Sequence, residues 1–259
     1  MRGKIIVVLL AVGLLLFLAG CGGDGEMGLS EYRKSISELH DGVAWDLGVT
    51  IEELNQFDFT DYYDLPEIRA VFEKAEGIFG TAWDSADPMY PPQLAVPLHV
   101  DLLQFYADGA EGMRDVRDAL GFFEVVLPML QDVENLALPA LPDSAGVPEI
   151  KAAAAEDRKT MEGYLKDLEN MEPPEKLRDY RDKLTQFFRS IDEAVAAVDQ
   201  AVKPEDLASF VQFRQWFSNA VSQAQELWNE AITYLVSLSG SVDPYIEQGK
   251  LLAERIQKL

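Results

Sequence analysis

Beyond residue 28, apolar residues recur at steps of three and four, the spacing that lines one face of an α-helix. No run alternates apolar and polar positions between turn residues in the way a half-buried strand does. The pattern predicts an all-α chain. Tyr32, Ile36, Leu39, Val43 and Leu47 make the first stripe, with Ser30 placed to cap it and Gly48 to stop it. Thr50 to Glu53 has the spacing of a capping box and opens a short second helix near Ile51 to Phe57.

From there the chain resembles itself at an offset of 82 residues. Pro66-Glu-Ile-Arg-Ala70 matches Pro148-Glu-Ile-Lys-Ala152, and Met89-Tyr-Pro-Pro-Gln93 matches Met171-Glu-Pro-Pro-Glu175. Leu102, Gln104, Phe105 and Tyr106 match Leu184, Gln186, Phe187 and Phe188, and the register fades past Glu111 and Glu193. Each copy reads as a helical hairpin opening on a first-turn proline, where a missing N–H costs nothing. Asp64 stands ready to cap the first copy. The first stripes are Leu65, Ile68, Phe72, Ala75, Phe79 and Trp83 in copy one, and Ile150, Ala154, Met161, Tyr164, Leu165 and Leu168 in copy two. A third helix follows in each copy: Phe122 to Leu136, bent or broken around Pro128, and Pro204 to about Leu238. The latter carries two adjacent stripes, including Phe210, Phe213, Trp216 and Phe217, and is expected to be central. The expected architecture is a helical bundle of two tandem repeats, 64–145 and 146–240, with N-terminal helices over 29–63 and a last helix over 241–259.

The first 21 residues differ from all this. Arg2 and Lys4 precede an uncharged, mostly apolar stretch from Ile5 to Ala19, shorter than the roughly 20 residues a bilayer span needs and ending in small residues. The ending Leu18-Ala19-Gly20-Cys21 resembles the lipobox of bacterial lipoproteins. The resemblance covers residues 1–21 and implies a signal peptide over 1–20, cleavage before Cys21, which becomes the new N-terminus, and a diacylglycerol on its sulfur, with palmitate among the acyl chains. Two or more chains hold stably in a membrane, so the lipid suffices as an anchor. Residues 21–28 then form a glycine-rich tether. What this implies is a protein lipid-anchored at the extracytoplasmic face of the cell membrane or, if the cell has one, of the outer membrane; the box does not choose between them.

Charge narrows the partners. The chain carries 22 basic and 45 acidic residues, a net −23, with 6 basic against 25 acidic over residues 22–145. Such a surface repels nucleic acid, which is excluded as a partner. Cys21 is the only cysteine, so an acylated chain has no thiol left for a disulfide or a thiolate metal site.

Catalytic groups are scarce. His40 and His99 each stand alone on a predicted helix and read as surface or half-buried residues; no paired-histidine helical metal motif or nucleophile motif occurs. No cofactor is expected beyond the lipid, and no enzyme. Asp58, Asp61 and Asp64 are the one weak calcium candidate, but they lack the spacing and central glycine of an EF-hand loop. Trp45, Phe59, Tyr62, Tyr63, Phe213 and Trp216 are either core filling or a surface for a ligand or partner. Two functional readings follow: a non-enzymatic protein-binding or scaffold module, or a small-molecule or cation-binding protein serving a transporter or sensor. A cavity of roughly a few hundred Å³ between the repeats, lined by aromatics and converging carboxylates, separates the second from the first.

Overall fold

The structure is a computed structural model that describes residues 27–142, 144–203 and 207–259. The signal peptide, Leu18, Ala19, Gly20, the lipidation candidate Cys21 and most of the tether lie outside the described residues. Those that are described form helices joined by short turns, with no strand among them: the all-α class holds. No described helix is long and apolar enough to cross a membrane.

Leu29–Leu54 is one helix, α1, rather than two. Thr50 does not cap a new start; its hydroxyl donates to the Asp46 carbonyl 2.9 Å away, one turn back in the same helix. Gly48 sits inside α1 with open space around it. Its cost of about 1 kcal/mol is outweighed by the burial of Val43, Leu47 and Leu54 on either side. Gly28, not Ser30, occupies the N-cap position.

A hairpin follows, α2 (Leu65–Ala86) and α3 (Val96–Asp132), joined by a 3-10 turn at Gln93–Ala95. Asp64 precedes α2 without capping it; its carboxylate turns back to accept from the Asp58 amide. Trp83 is 37% exposed, and Ala82 and Ala86 hold the buried stripe in its place. The helix does not break at Pro128: α3 runs 37 residues, about 55 Å, through it. An interior proline costs about 3 kcal/mol. Phe122, Phe123, Val126, Leu127, Met129 and Leu130 around it are all buried, at about 1.5–3 kcal/mol each, so packing wins. With apolar residues on most of its circumference, α3 is the central helix, packing on α2 and on both C-terminal helices.

The link from α3 makes one short turn of helix, α4 (Ala137–Ala140), and enters a second hairpin: α5 (Val147–Asn170), a 3-10 turn at Glu175–Leu177, and α6 (Arg178–Ala201). Each of these starts 82 residues after its counterpart: Val147 after Leu65, Glu175 after Gln93, Arg178 after Val96. Burial follows the same offset, from Ile68 and Ile150 through Leu102 and Leu184 to Leu120 and Val202, beyond the point where the residue matches fade. Then α7 (Ala208–Leu238) packs on α3 and α6, and α8 (Asp243–Gln257) packs on α1 and α3. The hairpins meet where Phe122 and Phe123 of α3 touch Tyr180 of α6 and Tyr234 of α7, with the Tyr180 hydroxyl donating to the Leu227 carbonyl at 2.7 Å.

Candidate ligand groove between the hairpins

The seal at Phe122 and Phe123 does not extend along the whole junction. One step along α3, past Val116, the second hairpin's turn and the ends of α7 and α8 stand off from the helix and leave a groove of about 450 Å³. Glu111, Gly112, Asp115 and Val116 of α3 form its floor; Pro174, Glu175 and Lys176 come from the second turn, and Tyr234 and Tyr245 from α7 and α8. Gly112 is what lets Tyr245 in: a Cβ there would stand 2.0 Å from the tyrosine oxygen. The hydroxyl donates instead to the Asp108 carbonyl at 3.1 Å. Burial raises the pKa of both tyrosines, and the carboxylates push them further, Asp115 on Tyr234 and Asp108, Asp115 and Glu111 on Tyr245. Three carboxylates against one lysine leave the groove net negative and faced by two neutral phenols.

The aromatics singled out in the sequence are not brought together here. Phe59 is buried, and Tyr62 bridges Tyr63 and Trp228, filling the joint between the α1–α2 loop and α7. Phe213 packs with Trp216 and Phe217 within α7. Trp45 on α1 and Tyr63 in the loop stand out, 75% and 69% exposed. The three aspartates of the loop bind their own backbone. Asp58 accepts from the Thr60 amide and hydroxyl, which holds its carboxyl below the usual range. Asp61 accepts from the Tyr63 amide and Asp64 from the Asp58 amide. Among the described residues no three His, Cys, Asp or Glu side chains gather as metal ligands.

Sequence reasoning missed two buried polar sites. His40 and His99 are both buried rather than superficial, in a ladder between α1 and α3. The Tyr32 hydroxyl and His99 Nδ1 are bonded at 3.0 Å, and the His40 Nδ1 and Tyr106 hydroxyl at 3.2 Å. His40 Nε2 donates to the Gly249 carbonyl at 2.8 Å and ties α8 to the same ladder. Burial pushes the Tyr32 hydroxyl up to about 12 and raises Tyr106 further still. The signal was present in the spacing: His40 lies eight residues beyond Tyr32 and Tyr106 seven beyond His99, on the stripes of their helices.

Burial lowers the His99 pKa, with Asp87 pulling the other way. Below the ordinary histidine value the unfolded chain therefore takes up a proton that the folded one resists, and this part of the stability is lost as pH falls from about 6.5. Chemical unfolding of the wild type and of His99→Gln at pH 7 and pH 5 checks it. The wild type should lose more stability over that interval than the variant; equal losses would refute the assignment.

The second missed site is Asp157, which is 1% exposed and accepts from the amides of Ala137 and Leu138 at 2.7 and 2.8 Å.

Compared with known protein families, with curated proteins and with solved structures, the chain matches none of them.

Proposed function

We propose that this protein is a non-enzymatic binding protein, held by a lipid on Cys21 at the extracytoplasmic face of a bacterial membrane, that takes a small organic cation into the groove between its hairpins. The observation that carries the reading is the groove itself: about 450 Å³, floored by Glu111 and Asp115 and walled by Tyr234 and Tyr245. Its size suits a ligand of several non-hydrogen atoms. Its net negative charge selects a cation, and the tyrosine rings offer a face to an ammonium group. A polyatomic cation fits the lining better than a bare metal ion, because the carboxylates are spread along the groove and do not meet at a point. Handing such a ligand to a transporter or sensor in the same membrane is the role that an anchored binder serves.

The two hairpins are read as copies of one ancestral unit, a proposal supported by element starts and buried positions that keep an 82-residue offset. The groove then arises where one copy's turn meets the other copy's second helix.

Calorimetric titration of the full chain with a quaternary ammonium, a diamine and a basic amino acid tests the ligand class. At least one should bind saturably, more weakly as salt rises, while neutral isosteres give no heat. Asp115→Asn should weaken that binding by tenfold or more, equivalent to about 1.4 kcal/mol. No saturation up to about 10 mM, a binding free energy weaker than about −3 kcal/mol, would overturn the reading. The scaffold reading then takes its place, with the exposed Trp45 on α1 as its specific observation. Crosslinking in intact membranes would have to return a reproducible protein partner that Trp45→Ala loses.

A further inference from the structure

We infer that the turn joining α2 and α3 is a second, non-covalent membrane contact, with Tyr90, Leu94, Val96 and Val100 lying in the interfacial layer of the bilayer that holds the lipid anchor. The inference rests on the anchor at Cys21 proposed above, and on four observations of the folded domain.

The first is exposure. Tyr90 is 67%, Leu94 81%, Val96 42% and Val100 57% exposed, the densest run of large exposed apolar side chains in the described sequence. Val96 and Val100 are one helical turn apart and so share a face of α3.

The second is position. The Met27 amide donates to the Tyr90 carbonyl at 3.0 Å, so the chain leaves the domain against this turn. Six residue steps separate Met27 from Cys21, a reach of about 21 Å when fully extended. The tether expected over residues 21–28 is thus pinned at its domain end, and it cannot carry the turn far from the bilayer surface.

The third is the comparison within the chain. The second hairpin has the same turn, with its own 3-10 segment and its own exposed positions, 82 residues on. There Tyr90, Leu94, Val96 and Val100 are answered by Glu172, Lys176, Arg178 and Asp182, all exposed. The turn therefore does not need apolar residues at these places to fold. They occur on the copy that sits at the anchor and are absent from the copy that does not.

The fourth is charge. The domain as a whole is strongly acidic, which opposes approach to anionic headgroups, and a few of its cations lie at this pole. Arg33 and Lys34, two of only six basic residues in 22–145, line a surface depression with Leu29 and the C-terminal Leu259. Arg255 reaches Asp101 from α8 at the same end. Glu31, Glu38, Asp84, Asp87 and Asp101 outnumber them, so the pole stays acidic and its docking relies on the tyrosine and three aliphatic side chains it presents, a composition suited to the interface of a zwitterionic bilayer.

The test uses the full, lipid-processed chain reconstituted in phosphatidylcholine vesicles. Intact mass first reports whether Cys21 carries the diacylglycerol. A nitroxide is then placed at Leu94→Cys and, in a separate protein, at Glu172→Cys on the second turn. The label at 94 should become several-fold more accessible to oxygen and less accessible to an aqueous nickel complex on reconstitution, while the label at 172 stays aqueous. A lipidated protein whose label at 94 remains as aqueous as that at 172 overturns the docking alone. A label at 94 shielded from both reagents marks a protein or a second copy on the patch and also overturns it. Absence of the lipid mass overturns the anchor reading, and the docking falls with it.

Discussion

Replacing Asp157 with alanine should destabilise the protein by about 3 kcal/mol, the larger of the two effects argued here, and should loosen the link between the hairpins before anything else. The carboxylate is 1% exposed and holds the first two amides of α4, Ala137 and Leu138. Leu138 is itself fully buried, so no water replaces the lost acceptor without opening the link. Two amides left without partners cost about 1–3 kcal/mol each. Against this, the variant no longer buries a charge, and that relief offsets part of the loss. In a domain of this size about 3 kcal/mol lowers Tm by roughly 6–12 °C. Asp157→Asn keeps one acceptor oxygen and should fall between the two.

The pH dependence separates this account from a simple packing defect. Burial raises the Asp157 pKa, only partly countered by the two amide hydrogen bonds. A raised folded pKa means that this group's contribution is fully present below the unfolded value, near 3.9, and is lost as pH rises through the folded value. The gap between wild type and Asp157→Ala should therefore widen as pH is lowered from 7 towards 4. Hydrogen exchange at neutral pH should show faster exchange over 133–146 and little change in α6. A loss below about 1 kcal/mol, or a gap that narrows on acidification, would sink the argument.

Asp157 also shows what in this fold was legible and what was not. In the charged run Glu156-Asp157-Arg158-Lys159 it passes for one more solvated residue. At the 82-residue offset it stands opposite Ala75, a fully buried position. A carboxylate at the offset of a fully buried position is a sign of a buried partner, and here the partner is the link at α4. The stripes of α1 and, as far as Phe79, of α2 were readable because period and burial agree along them. The merged helices were not readable, because glycine and proline signal local cost, and at Gly48 and Pro128 burial of the surrounding apolar residues exceeds that cost. The groove was readable only as a condition. Its residues come from four elements, and the one local hint is Gly112, whose missing side chain has no meaning until Tyr245 is seen against it.

Gly109→Ala, a change that usually strengthens a helix, should weaken this one by about 2 kcal/mol. In an open helical position the substitution gains about 1 kcal/mol. At Gly109 the added Cβ would lie 2.5 Å from two atoms of the Phe79 ring and 2.7 Å from a third. Phe79 cannot retreat, because it is fully buried and wedged between the rings of Phe105 and Tyr245 at 5.6 and 5.5 Å. Overpacking of this kind costs about 1–3 kcal/mol and more where the neighbour is rigid, so strain exceeds the propensity gain. Gly77, on α2, has nothing within 4 Å of its own added Cβ and should give the ordinary gain. The same substitution is thus expected to change sign between two positions on packed helices, which urea unfolding of the two variants measures directly. At the 82-residue offset the second hairpin has Met161 in place of Phe79 and Ile191 in place of Gly109, both fully buried: the smaller apolar residue occurs with the larger side chain at the glycine's position. Phe79→Leu should therefore rescue Gly109→Ala, the double variant being more stable than the sum of the two single losses allows. Additive losses would mean that the close approach of ring and backbone is not what fixes glycine at 109.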